Sequence, residues 1–306
     1  FGASLRALIM EYGLGYGRPR LLDIVLPPSV PTLGDLRRRR FQTRWMGFIT
    51  EIIRTRAAAA ATDAPGDLFD LLVAARDPET GRGFTREQLR DQVATMILAG
   101  HETTGVLMFW ALTLLAQDPA EQQRVADEVH GLDLATTVAR GEVPELPRTR
   151  AVVSETLRLY PSAFTLARAA KATDRAGAIE IPKGSILLIA PWVLHRHRRL
   201  WREPEAFDPS RFLPGAPPPP RFAYLPFGAG PRVCVGAQFA LIEATLVLAA
   251  LIQAFEVSLE STRPVLPTAI ITTHPDHAPA FRLRPRISEG AASCPPLTTF
   301  AATIPS

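Results

Sequence analysis

A helix signal that starts sharply at Thr85 and then runs to about Gln117 constrains this chain more than any other feature. Thr85-Arg86-Glu87-Gln88 has the pattern of a capping box, with Thr85 as N-cap and Gln88 three residues on. Apolar residues follow with no proline to stop them. A helix of that length is held by packing along its whole course, so it predicts a core-spanning helix and a domain built around it.

The neighbouring segments are also helical in pattern. A short helix is expected over Ser4–Tyr12 and a long one over Thr32–Ala61, with apolar positions at Phe41, Trp45, Phe48, Ile49, Ile52 and Ile53. The Ala57–Ala61 run is a helix former and not a low-complexity signal. Another short helix is expected over Asp67–Arg76. Asp118-Pro119-Ala120-Glu121 opens a further helix, with Asp as cap and Pro at the first helical position. One more runs from about Thr149 to Tyr160 and stops at Pro161. Residues 164–194 read instead as a small β-hairpin region: Ala178–Ile181 alternates, Pro182-Lys183-Gly184 turns, and Ile186–Ile189 is apolar. Residues 195–233 are rich in Pro, Arg and Phe with little periodicity, a length of loop that is usually functional. An apolar helix follows from Gly236 to about Phe255, then short strands at Ile270–Thr273 and Phe281–Leu283. The expected fold class is mainly α with a minor β part. The expected domain covers residues 1–287, and residues 288–306 are expected to form a disordered tail.

Composition narrows the function. Hydrophobic residues make up 47% of the 306 and charged residues 21%, the balance of a globular chain with a sizeable core. The net charge of +4 rests almost entirely on arginine, the lysines being Lys171 and Lys183, and is too small to argue for nucleic acid. Arg37–Arg40 reads as a solvated helix face. Two cysteines, Cys234 and Cys294, imply no disulfide framework and a reducing, cytoplasmic location. The most apolar stretch, Phe239–Phe255, carries Glu243 and Gln253 and is shorter than the roughly 20 residues a bilayer needs. It reads as a buried core helix and not a membrane segment.

The chemistry concentrates at Phe227-Gly228-Ala229-Gly230-Pro231-Arg232-Val233-Cys234-Val235-Gly236. Its glycines let the backbone turn tightly and approach a flat partner. Cys234 stands just before a long helix, where the helix dipole and free N–H groups favour an anionic sulfur. Arg232 is placed to reach an anionic group. Such a sulfur suits a metal ligand or a nucleophile; the bland alternative is a buried structural cysteine. A second constellation, Ala99-Gly100-His101-Glu102-Thr103-Thr104, lies midway along the long helix. Thr hydroxyls loosen a helix by bonding back to carbonyls, and a Glu beside a Thr can relay protons. Gly105 stands where the second His of a zinc-binding His-Glu-x-x-His would be. A third, Glu155-Thr156-Leu157-Arg158, puts Glu and Arg on one helix face. His195, His197, His274 and His277 fit no ligand spacing and are expected to be solvent-facing loop residues.

The first run has every fixed position of Phe-Gly-x-Gly-x-Arg-x-Cys-x-Gly and resembles the haem-binding loop of cytochromes P450, here of a soluble, bacterial type lacking the N-terminal third of the fold. The resemblance implies that Cys234 is the axial thiolate ligand of haem b, donating electron density that favours O–O cleavage. It implies that Phe227 packs beneath the haem, that Gly228, Gly230 and Gly236 shape the loop, and that Arg232 pairs with a propionate. Arg168, before the hairpin region, is a looser match to a second propionate ligand. The long helix is similar to the family's oxygen-binding helix: Ala99 and Gly100 leave room for O2, and Glu102 and Thr103 assist its cleavage. Glu155 and Arg158 match a buried structural pair, with Arg211, in Phe207-Asp208-Pro209-Ser210-Arg211-Phe212, as third member.

The implied activity is hydroxylation or epoxidation of a small apolar substrate. Electrons would come from a ferredoxin or flavodoxin-like donor. NAD(P)H would act only through a reductase, since no flavin or nicotinamide fingerprint occurs. Arg196, Arg198, Arg199 and Arg221 are candidates for the donor's docking face. Two other readings stand beside this one: a peroxide-driven peroxygenase, which the Glu102-Thr103 pair argues against, and an inactive haem-binding fragment, which the missing N-terminal third favours.

Overall fold

In the computed structural model, which describes residues 2–15, 33–58, 66–261, 263–269 and 271–286, the capping box at Thr85 closes as the sequence predicts. The Gln88 amide donates to Thr85 Oγ1 at 3.2 Å, and the Thr85 amide donates to Gln88 Oε1 at 2.9 Å. The helix it opens spans Arg86–Gln117, 32 residues. Thr85→Ala should cost about 1 kcal/mol in chemical denaturation and Thr85→Ser only a few tenths, because Ser keeps the hydroxyl that caps Gln88.

The chain divides into two compact units, residues 1–102 and 103–306. The first contains helices α1 (Gly2–Gly15), α2 (Leu33–Ala58) and α3 (Leu68–Ala74), with the first half of the long helix, α4. Its core joins Ile9 of α1, Phe41, Trp45 and Ile49 of α2, and Val93 and Ala94 of α4. The four-residue spacing on α2 puts those side chains on one face. Arg37, Arg39 and Arg40 are exposed, as a solvated face requires. Asp67 caps α3 by accepting from the Phe69 and Asp70 amides.

The second unit carries α5 (Pro119–Val129), α6 (Leu134–Ala139), α7 (Pro147–Leu159), α8 (Pro191–Leu194) and α9 (Ala237–Ala254). Leu107, Ala111 and Leu115 of α4 meet Val125, Val152, Val153, Leu157, Ala244, Leu248 and Ile252 in one core. Asp118 caps α5 with Pro119 at its first turn, as read from the sequence. α7 begins at Pro147, two residues before the expected Thr149, because its cap comes from another helix. Glu128 of α5 accepts from the Arg148 amide at 2.6 Å, the Thr149 amide at 2.8 Å and the Thr149 hydroxyl at 2.6 Å.

α9 is buried on one face only, through Ala244, Thr245, Leu248, Ala249 and Ile252. Phe239 is 69% and Val247 43% exposed, so the expected core helix meets the core along that face alone. By length and composition alone, α4 and α9 are each long and apolar enough to cross a membrane.

The strands form four antiparallel pairs, and two expectations about them fail. β1 (Leu166–Ala169) pairs with β4 (Ile186–Ile189), and β2 (Asp174–Ala176) with β3 (Ile179–Ile181) is nested inside. The expected hairpin of 178–181 with 186–189 does not form. Gly177, at φ +60°, closes β2 onto β3, and the Gly184 amide is taken by Ala170 O at 2.8 Å, which aligns β4 with β1. β5 (Phe255–Glu260) pairs with β8 (Ala280–Pro285), which contains the expected strand at Phe281–Leu283. β6 (Pro267–Ala269) pairs with β7 (Thr273–Pro275); of the expected strand Ile270–Thr273, Ile271 and Thr272 are bends, Thr273 opens β7, and Ile270 lies outside the described residues. Thr273, the first residue of β7, is also held from outside the pair: its amide donates to Ser162 O, its hydroxyl to Pro161 O, and its carbonyl accepts from Trp110 Nε1. The tail, residues 288–306 with Cys294, lies outside the described residues.

Candidate functional site

The cysteine loop is built by its own backbone. The Cys234 amide donates to Phe227 O at 2.9 Å and closes the loop, and the Val233 amide donates to Gly230 O at 3.0 Å. Gly228 and Gly230 sit at φ +73° and +74°, left-handed backbone that an L side chain would strain. β1 lies against the loop: a Cβ at Gly228 would meet Leu166 Cδ1 at 3.7 Å. Phe227 packs on the core of the second unit. Gly236 is the N-cap of α9, which has neither a side-chain cap nor an acidic residue in its first turn. The positive end of an 18-residue helix therefore stands next to the sulfur with no competing anion of its own.

Cys234 is exposed, not the buried cysteine of the bland reading. It is flanked by apolar side chains that face outward as well: Val233 at 53%, Val235 at 88% and Phe239 at 69% exposure. Arg232 is exposed, and Arg168, on β1, donates to its neighbour's carbonyl, Ala167 O, at 2.8 Å. A haem fits this set. The sulfur is a soft ligand for iron, the apolar surround suits a macrocycle, and two arginines suit its carboxylates.

On α4 the helix continues unbroken through Ala99–Thr104. Ala99 and Gly100 are exposed, and a Cβ at Gly100 would meet nothing within 4 Å. Glu102 and Thr103 are part-buried. The Thr103 carbonyl accepts from the Ser162 hydroxyl at 3.0 Å, an outside bond of the kind that loosens a helix turn.

Glu155 and Arg158 form a fully buried pair. Arg158 Nε and Nη2 donate to the two carboxylate oxygens, both at 2.7 Å. Its other hydrogens reach three carbonyls: His195 O at 2.8 Å, Pro204 O at 2.6 Å and Ala206 O at 2.9 Å. All five guanidinium donors are used. Glu155 also accepts from the Asp208 amide at 2.9 Å. Burial pushes the Glu155 carboxyl above its ordinary range, against the pull of Arg158. Arg211 joins loosely: its Nε is 3.5 Å from Glu155 Oε1 and makes no hydrogen bond, so it supplies charge and not a directed contact.

Two expectations change here. Arg196 is not a free surface cation: it lies 3.6 Å from the Trp192 ring centre and pairs with Glu205 at 3.1 Å, which leaves Arg198, Arg199 and Arg221 exposed. His195 is not solvent-facing. It is 0% exposed, its Nδ1 lies 3.2 Å from Arg158 O, and its Nε2 accepts from the Leu225 amide at 2.7 Å. Burial lowers its pKa from 6.5 to about 4. No local pattern marks it; the signal was aromatic, since Trp201, Phe212 and Tyr224 pack together beside it and give the long loop a core of its own.

The cytochrome P450 family model matches residues 14–278. Cyclooctatin synthase of Streptomyces melanosporofaciens is 41% identical over 187 residues, 61% of this chain and 41% of that protein. Cyclooctat-9-en-7-ol 5-monooxygenase of the same organism is 36% identical over 222 residues, 72% of this chain and 48% of that one. The chain thus spans less than half the length of these relatives. Among solved structures, retinoic-acid-bound cyanobacterial CYP120A1 is similar at a TM-score of 0.77 and 26% identity, over 92% of this chain and 63% of that one. The cytochrome P450DA heme domain is similar at 0.76 and 28%, over 93% and 61%.

Proposed function

The chain belongs to the cytochrome P450 family, and from that premise we propose that it is the haem-ligating part of a monooxygenase that inserts one oxygen atom of O2 into an apolar organic substrate by hydroxylation or epoxidation. The observation that carries the reading is an exposed Cys234 on a glycine-turned loop at the uncapped N-terminus of α9. In this reading Cys234 holds the iron of haem b. Arg232 and Arg168 hold its carboxylates, and Phe227, Gly228, Gly230 and Gly236 keep the loop in shape. The bound haem supplies the activation of O2. Ala99 and Gly100 keep side chains short along that stretch of α4, the Glu102 carboxylate holds a proton, and the Thr103 hydroxyl passes it on. A ferredoxin or flavodoxin-like donor is proposed to dock on Arg198, Arg199 and Arg221, with NAD(P)H used only by its reductase.

The test supplies NAD(P)H, ferredoxin and reductase under ¹⁸O2 with panels of apolar substrates, cyclic terpenes first in view of the two Streptomyces relatives. Product carrying one ¹⁸O atom is expected. Turnover with hydrogen peroxide and none with the donor chain would favour a peroxygenase instead. Thr103→Val is expected to lower product per NAD(P)H on the order of a hundredfold while NAD(P)H consumption continues, the signature of a lost proton donor.

A further inference from the structure

We propose that His195 is a positioning residue, whose neutral imidazole ties the approach to the cysteine loop to the Glu155–Arg158 helix and sets the acid limit at which that loop keeps its shape. This rests on the reading of Cys234 as the ligand only for what the loop is for; the tie itself is a property of the chain.

The two ring nitrogens are assigned by their partners. Leu225 offers an N–H, so Nε2 must accept and carry no proton. Arg158 offers a carbonyl, so Nδ1 must donate. Only the neutral Nδ1–H tautomer makes both bonds. Arg158 returns the contact, donating from Nη1 to the His195 carbonyl at 2.8 Å. From Leu225 the connection reaches the loop directly, because the Gly228 amide donates to Leu225 O at 3.2 Å. Gly228 follows Phe227, whose carbonyl closes the loop onto the Cys234 amide.

Protonating Nε2 would set N–H against N–H at 2.7 Å and break the tie. Burial is the main source of that resistance; the Arg158 and Leu157 backbone groups pull the other way by favouring a charged ring, and the remaining groups facing it add to the resistance or stay silent. Arg158 and the adjacent Arg196 are cations that oppose a further positive charge, and the Tyr224 ring, 5.3 Å away, has its hydroxyl held neutral by burial. Unfolding releases a histidine with an ordinary value of 6.5 in place of about 4. Between those values the unfolded chain takes up a proton that the folded ring refuses, so stability is full above the window and falls as pH falls through it. Glu155 also titrates in acid, and the variants below leave it in place.

The experiment measures amide protection, corrected for intrinsic exchange, at Leu225, Gly228 and Cys234 against pH in the chain without haem. Wild type is expected to lose protection at these sites as pH falls from about 6 towards 4. His195→Phe keeps ring volume and loses both bonds; protection at Leu225 should fall at least tenfold at every pH while α7 amides hold. His195→Gln offers a donor and an acceptor that do not titrate, and should restore protection and remove the acid step; it also serves if the Phe variant does not fold. Unchanged Leu225 protection in His195→Phe, or the same acid step in His195→Gln, would overturn the proposal. The same series with haem separates the two ideas. A wild type with the acid-sensitive tie whose bound haem shows a spectrum other than that of a thiolate refutes the ligand reading and leaves the tie standing. A thiolate spectrum whose acid limit is identical in wild type and His195→Gln refutes the tie as a positioning device.

Discussion

Cys234→Ala is expected to abolish the red-shifted Soret band of reduced, carbon-monoxide-treated protein expressed with haem precursor, and to do so without unfolding the chain. The band is a thiolate signature, so its loss is expected to be complete. The fold should be indifferent. The sulfur is exposed, and the bond that closes the loop runs from the Cys234 amide to Phe227 O, which alanine keeps. An exposed substitution of this kind stays within about 0.5 kcal/mol. Cys234→His should keep haem but give the band of a neutral imidazole ligand. A thiolate band persisting in Cys234→Ala would refute the assignment and leave Cys294, the other cysteine of the sequence, as the ligand to remove next. A wild type with no haem band at all would show that this stretch of chain, under half the length of the relatives named above, needs more protein to hold the group.

The features legible in sequence were those whose donors and acceptors lie within a few residues of each other. Thr85 and Gln88 cap one another across three positions, and Asp118 caps Glu121 across the same span, so both helix starts could be read from the letters alone. The cysteine loop was legible for the same reason: its two left-handed glycines and its closing bond all fall between Phe227 and Cys234. Glu155 and Arg158 share a helix turn, so the pair was visible, though a pair at that spacing is ordinarily exposed and weak.

What escaped is what the chain completes at a distance. Glu128 caps a helix some twenty residues later, β1 finds β4 across an intervening hairpin, and His195 bridges Arg158 and Leu225. In each case the local letters permit a simpler answer. A hairpin with the next strand, a helix start at Thr149 and a solvated histidine cost nothing locally, and only the packed structure removes them. The loop over 195–233 shows the same limit: its lack of periodicity hid a ring of aromatics, with Arg158 5.1 Å from the Trp201 ring centre.

The largest loss of stability is expected at Arg158. Arg158→Met should cost on the order of 4 kcal/mol or more, seen as a fall in the denaturation midpoint, because it strands a buried Glu155 carboxylate. Glu155→Gln should cost about 3 kcal/mol: it leaves the guanidinium charge uncompensated, and the new amide sets an N–H against an Arg158 donor in either orientation, and against the Asp208 amide too in one of them. A buried ion pair can often be replaced whole by apolar residues at little cost, so the double variant Glu155→Leu/Arg158→Met would ordinarily rescue both. Here it should not. Arg158 also satisfies the carbonyl of buried His195, which left without a donor costs about 1–3 kcal/mol, and it donates as well to those of half-buried Pro204 and exposed Ala206. The double variant is therefore expected to be no more stable than Arg158→Met. If it recovered most of the loss, Arg158 would be half of an ion pair and nothing more. If it did not, Arg158 is the post on which the loop preceding the cysteine hangs, and its energy lies in three backbone bonds as much as in one charge.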